Sequence, residues 1–162
     1  MNDLSPATTA QAPVARTPVL SAPCILAAAQ ALLPHLERGQ RIDSTMLRGA
    51  METAFGASDA SGLWGWKDAY EACEVATVLF LRKFGRALYR KAGAPEARLA
   101  ALTKIAGLLP SHTRRSEESQ ALQQFSTPLP LGIAAVTAAA ITPADVVLEP
   151  SAGTGLMRSE ER

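Results

Sequence analysis

With 162 residues, 48% of them hydrophobic, the chain can bury one ordinary domain core and leaves no room for two full domains. Sixteen basic against fifteen acidic residues give a formal net charge of +1, which excludes a whole-chain field that would draw in DNA or an anionic membrane. The two cysteines, Cys24 and Cys73, lie far apart without paired ligand spacing, which argues against a zinc site and fits a reducing, cytoplasmic setting.

Residues 1–20 carry Pro6, Pro13 and Pro18 among small residues, too little apolar surface to offset backbone ordering, so a disordered lead-in is expected. Asp3 stands where a secretory signal would have a basic flank. The apolar stretch from Val19 to Leu33 is broken by Ser21, Pro23 and Gln30 and is too short and polar to span a bilayer. Ser21 and Pro23 supply a cap and a first-turn proline for a helix carrying Ile25, Leu26, Ala29, Leu32, Leu33 and Leu36, with Gly39 as its stop. A second helix is capped by Asp43 or Ser44, presents Met46, Leu47, Ala50, Met51, Ala54 and Phe55, and ends at Gly56.

After a loop over 57–63 comes the strongest helical pattern of the chain. Trp66, Tyr70, Cys73, Thr77, Phe80, Phe84 and Leu88 form one stripe at helical spacing. Glu71 and Glu74 near the start, with Arg82, Lys83, Arg86, Arg90 and Lys91 near the end, complement the helix dipole. A fourth helix starts at Pro95, carries Leu99, Leu102, Ile105, Ala106 and Leu109, and stops at Pro110. The polar segment 111–124 leads to Phe125, and an alanine-rich helix is expected from Leu131 to about Ile141. Thr142-Pro143-Ala144-Asp145 then makes a turn into Val146-Val147-Leu148, which reads as a short strand of a buried parallel sheet.

Two stretches carry chemistry: Gln124-Phe125-Ser126-Thr127-Pro128, and Leu148-Glu149-Pro150-Ser151-Ala152-Gly153-Thr154-Gly155. In the second, an apolar run ends in a carboxylate, and small residues then let the backbone turn sharply beneath a ligand. Taken alone, such a stretch also reads as a plain surface turn.

Together and in this order, LEPSAGTG resembles motif I, and QFSTP the preceding segment, of S-adenosylmethionine-dependent adenine-N6 DNA methyltransferases. The Leu33–Gly39 segment, GWKDAYEACE and IAGLLPSHTRRSEESQALQQFSTP resemble the N-terminal region of bacterial strawberry notch-like proteins. Those proteins join a methyltransferase-like domain to a superfamily 2 helicase, often on mobile elements. The resemblance covers roughly Pro23 to Leu156. It implies that Phe125, Thr127 and Pro128 line the methionine end of S-adenosylmethionine, and that Glu149, Pro150, Ser151, Ala152, Gly153, Thr154 and Gly155 form the loop beneath it.

The family pattern continues through an apolar helix, a second strand with an acidic residue for the ribose, and an Asn/Asp-Pro-Pro-aromatic motif that holds the target amine. This sequence instead reads Met157-Arg158-Ser159-Glu160-Glu161-Arg162 after Leu156 and stops. The expectation is therefore a truncation after motif I, with weak or vestigial cofactor binding and no catalytic residue. Extruding a base and aligning its amine with the sulfonium methyl needs groups that are not here.

The remaining candidates have plainer readings. His35 and His112 lack a carboxylate or cysteine partner at ligand spacing and read as structural or solvent-facing, and no metal is expected. Trp64, Trp66 and Tyr70 read as a core anchor for the long helix rather than a base-stacking platform. Arg82, Lys83, Arg86, Arg90 and Lys91, joined by Arg114 and Arg115, are candidates for DNA phosphate contact, set against solvated helix ends. The expected fold is mainly α: a helical accessory domain over 21–110, a linker over 111–129, and over 130–162 the first helix and strand of an incomplete Rossmann-like α/β methyltransferase domain. The partners expected are DNA and the rest of a parent methyltransferase/helicase, with no membrane. The competing expectation is an independent helical module for protein interaction or DNA binding.

Overall fold

A computed structural model describes residues 18–111, 127–142, 144–148 and 153–154, with side chains from residue 21 onward. Among these residues lie five α-helices, in chain order α1 (Pro18–Glu37), α2 (Ser44–Phe55), α3 (Trp66–Ala92), α4 (Pro95–Ala106) and α5 (Leu129–Ala138). A 3-10 turn, Asp59–Ser61, lies between α2 and α3. No strand occurs among the described residues.

The ends of these helices follow local chemistry. The Asp43 carboxylate accepts from the backbone N–H groups of Thr45 and Met46, both at 2.9 Å, satisfying two donors that α2 itself leaves free. Gly56 closes α2 in the left-handed region at φ 70° and donates its N–H to Glu52. At the start of α3 the Gly65 N–H donates to Asp68 Oδ2 at 2.6 Å. Pro95 opens α4 at its first position, where a missing N–H costs nothing. Helix α1 begins at Pro18, so order starts before the boundary expected at residue 21. Pro18 suits a first turn, whereas Pro23 and Pro34 fall inside the helix and each removes one backbone hydrogen bond.

Among the described residues two apolar clusters hold the helices together. The first joins Ile25, Ala28, Ala29, Leu32 and Leu36 of α1 to Leu47 and Met51 of α2 and to Ala69, Tyr70, Ala72, Cys73 and Ala76 of α3. Small residues on the facing sides of α1 and α3 let the two axes approach closely. Trp64, just ahead of α3, is 2% exposed and donates its indole N–H to the Ala57 carbonyl at 2.7 Å, so its one polar group is satisfied inside the core. The Ile42 N–H donates to the Leu108 carbonyl at 2.7 Å, tying the α1–α2 link to the end of α4. The second cluster joins Leu81 of α3, Leu102 and Ile105 of α4, and Leu129 and Ile133 of α5. Across the α3–α4 crossing, the Arg98 guanidinium lies 5.1 Å from the centre of the Tyr89 ring.

The helical expectations hold with shifts of a few residues at their ends. Helix α5 starts at Leu129 rather than Leu131, with Pro130 in its first turn. The stretch Val146-Val147-Leu148 differs from expectation. It belongs to no ladder among the described residues and exposes Val146 completely and Leu148 by 87%. A parallel strand is buried only when a neighbour takes its backbone hydrogen bonds and helices cover its faces, and no described residue does either.

Candidate functional site: the glycine turn and its support on the third helix

Of the ten residues the sequence singles out for a cofactor, Thr127, Pro128, Gly153 and Thr154 are described; Phe125, Glu149, Pro150, Ser151, Ala152 and Gly155 lie outside the described residues. Thr127 and Pro128 are exposed at the entrance to α5. The Pro128 carbonyl receives the N–H groups of Leu131 and Gly132, at 2.9 and 3.1 Å, and so opens that helix. Gly153 adopts φ 51°, the left-handed region where a Cβ is penalised. The next residue, Thr154, donates its hydroxyl to Glu74 Oε2 at 3.0 Å.

That contact ties the turn to α3 across 80 residues of sequence. Glu74 is 8% exposed, on the face that also buries Tyr70, Cys73, Thr77 and Leu81. Beside it, burial pushes the Cys73 thiol up to about 12, and the Glu74 charge adds to the effect. Thr77 satisfies its own hydroxyl within the helix by donating to the Cys73 carbonyl at 2.9 Å. In sequence the helix dipole alone accounts for Glu74 and says nothing of its burial. The signal was available, because positions 70, 74, 77 and 81 step by four, three and four along the apolar stripe.

Upstream of the turn, Thr142 donates its N–H and its hydroxyl to Asp145 Oδ2, at 2.6 and 2.8 Å, as the turn expected from the sequence requires. The Thr142 backbone N–H, with its hydroxyl second, holds the Asp145 carboxyl below its ordinary range. Among the described residues no hydrogen bond joins Thr127 or Pro128 to Gly153 or Thr154. Of these described residues, Thr127 and Pro128 lead into α5, while Thr154 bonds to α3.

Other candidates have clear surroundings. His35 Nδ1 lies 3.1 Å from Gln40 Oε1, which also receives the Arg38 Nε–H at 3.1 Å, a surface network rather than a reactive site. Trp64 lies tilted against Phe55 and edge-on to Trp66, with ring centres 6.4 Å away in each case, which supports the core-anchor reading. The Arg48 guanidinium lies 5.6 Å from the Trp66 ring centre and pairs with Asp59 at 3.3 Å. On α3, Arg82, Arg86, Arg90, Lys83 and Lys91 are all exposed, and Lys83 pairs with Glu37 of α1 at 2.6 Å. His112, Arg114 and Arg115 lie outside the described residues. Among the described residues no group of three or more acidic, histidine or cysteine side chains is placed to hold a metal ion, and no helix is long and apolar enough to cross a membrane. Comparison with family models, with curated proteins and with solved structures finds no match to this chain.

Proposed function

We propose that this chain belongs to a strawberry notch-like, S-adenosylmethionine-dependent DNA methyltransferase/helicase, and that it supplies a helical accessory domain together with the glycine turn of a Rossmann-like methyltransferase fold. The observation that carries this reading is the left-handed Gly153 followed by a Thr154 pinned to α3, within the stretch whose sequence resembles methyltransferase motif I. A glycine there leaves the backbone open to close approach by a ligand, which suits the methionine end of the cofactor. S-adenosylmethionine, when bound, would supply the electrophilic methyl group. Thr127, Pro128, Gly153 and Thr154 are the described residues that would hold it.

Turnover by the chain alone is not expected. The sequence contains no Pro-Pro-aromatic motif to align a target amine, and among the described residues no strand lies beside the exposed Val146 and Leu148 to support an adenosine. Titration of S-adenosylmethionine into isotopically labelled protein, followed by amide chemical shifts, tests both parts. Shifts centred on Gly153 and Thr154 that saturate only towards millimolar ligand are expected. Silence of those amides at millimolar ligand removes the cofactor reading, and low-micromolar affinity removes the claim that the pocket is incomplete.

A second reading, a DNA-binding helical module, is favoured by one observation. The α3 segment Val75–Ala92 contains no acidic residue, and Arg82, Arg86 and Arg90 stand exposed at four-residue spacing along it. Such a row spans about 12 Å of helix and can follow a phosphate backbone. Binding to duplex DNA across a salt series would show a slope of roughly 0.9 for each phosphate neutralised, near 3 if all three arginines engage. A solvated face shows no binding at any salt.

A further inference from the structure

A buried carboxylate needs donors, and Glu74 finds its donor in an unexpected place. Helices α1, α2 and α4 surround α3, yet no described cation lies within ion-pairing distance of Glu74, and no hydroxyl or amide of those helices bonds to it. The donor is Thr154, from the turn. An ionised carboxylate has room for about four hydrogen bonds. Among the described residues Thr154 fills one of them, which makes Glu74 a specific anchor for that residue.

Threonine is stiff about its first side-chain torsion, so fixing its hydroxyl also fixes the backbone that carries it. That backbone adjoins the left-handed Gly153. We propose that Glu74 is a positioning residue for the glycine turn: by accepting the Thr154 hydroxyl it holds Gly153 and Thr154 against α3. The bundle is then part of the site, and its contribution is preorganisation of the turn before any ligand arrives. This inference rests on the methyltransferase reading only for the identity of that ligand.

The test is hydrogen exchange of the full chain without ligand, comparing turn peptides around 148–158 with bundle peptides around 25–36 and 69–81. Thr154→Val and Glu74→Leu should each speed exchange of the turn by about five- to tenfold, the loss that one hydrogen bond of ordinary strength implies. The double variant should be no faster than either single one, and Thr154→Ser should restore the slow rate. Bundle peptides in Thr154→Val should exchange as in the unchanged protein. Should Glu74→Leu loosen the bundle itself, Thr154→Val decides alone. An unchanged turn in Thr154→Val, or additive effects in the double variant, overturns the proposal. Titration with S-adenosylmethionine then separates the two claims. Coupled exchange without cofactor binding sinks the ligand assignment and leaves the positioning role, while severalfold weaker binding in Thr154→Val, restored by Thr154→Ser, joins them.

Discussion

The five helices, ending at Ala138, and the described residues from 139 to 154 obey different rules. In the first, apolar side chains face one another across helices, and the side-chain caps of α2 and α3 come from residues close in sequence. In the second, Val146 and Leu148 face outward, and Thr154 is held by a residue of α3. Periodicity is a property of a segment and the neighbours it will meet. Where the neighbours are present it becomes a core, and where they are not the same apolar letters lie on the surface.

The sharpest way to break this contrast is to remove a large side chain from each region. Trp64→Ala deletes a side chain 2% exposed, along with its bond to the Ala57 carbonyl, and should cost about 3–5 kcal/mol. Leu148→Ser, at a side chain 87% exposed, should change stability by less than about 0.5 kcal/mol. Urea midpoints at constant m value check both. Equal losses would mean that the 146–148 stretch is packed in solution.

Cysteine chemistry contrasts two places within the bundle. Cys73 is buried, and its thiol is raised from 9.0 to about 12, whereas Cys24 is half-buried. Alkylation of the native protein at pH 8 should therefore modify Cys24 and spare Cys73, whose thiolate fraction is lowered by roughly a thousandfold on the tenfold-per-unit scale of a pKa. Because the folded value is the higher one, the stabilisation from keeping this thiol neutral is complete below 9.0 and is lost as pH climbs towards 12. Peptide mapping after a timed iodoacetamide pulse reads the result, and rapid labelling of Cys73 would show that the α1–α3 core opens locally.

The helix boundaries were legible because their causes are local. Asp43 with its two amide donors, Gly56 at positive φ and Pro95 at a first position each act within one turn of the chain. The burial of Glu74 was less accessible. A glutamate early in a helix has a sufficient local explanation in the dipole, and only the return of the chain at Thr154 reveals another. The strand expected over Val146-Val147-Leu148 was less legible for a related reason: a β-branched apolar run specifies a strand only together with the strand beside it, and no described residue supplies one. The resemblance at the two motifs located the turn, and four of its ten residues are described, of which Thr154 alone is seen to reach another helix.

A smaller effect probes the local rules directly. Asp43→Ala removes the acceptor for two amides at the start of α2 and should cost about 1 kcal/mol, within the 0.5–2 kcal/mol range of such caps. Asp43→Ser should recover most of it. Thermal unfolding checks the pair, and no loss in Asp43→Ala would show that water replaces the cap.

The smallest effect lies at the junction of the two regions. Ala140, just past α5, holds φ 51°, where a side chain costs roughly 1–2 kcal/mol relative to the right-handed region. Glycine escapes that penalty but gives up about 0.5–1 kcal/mol through its freer unfolded chain, so Ala140→Gly should stabilise by no more than about 1 kcal/mol. Where that gain appears matters more than its size. Leu129 and Ile133 bury α5 in the second core beside Leu81, Leu102 and Ile105, so α5 should melt with the bundle and the gain should raise the global urea midpoint. Slower exchange confined to residues 133–142 with an unmoved midpoint would instead make α5 a separate unit, and the boundary between the two regions would then fall before Leu129 rather than after Ala138.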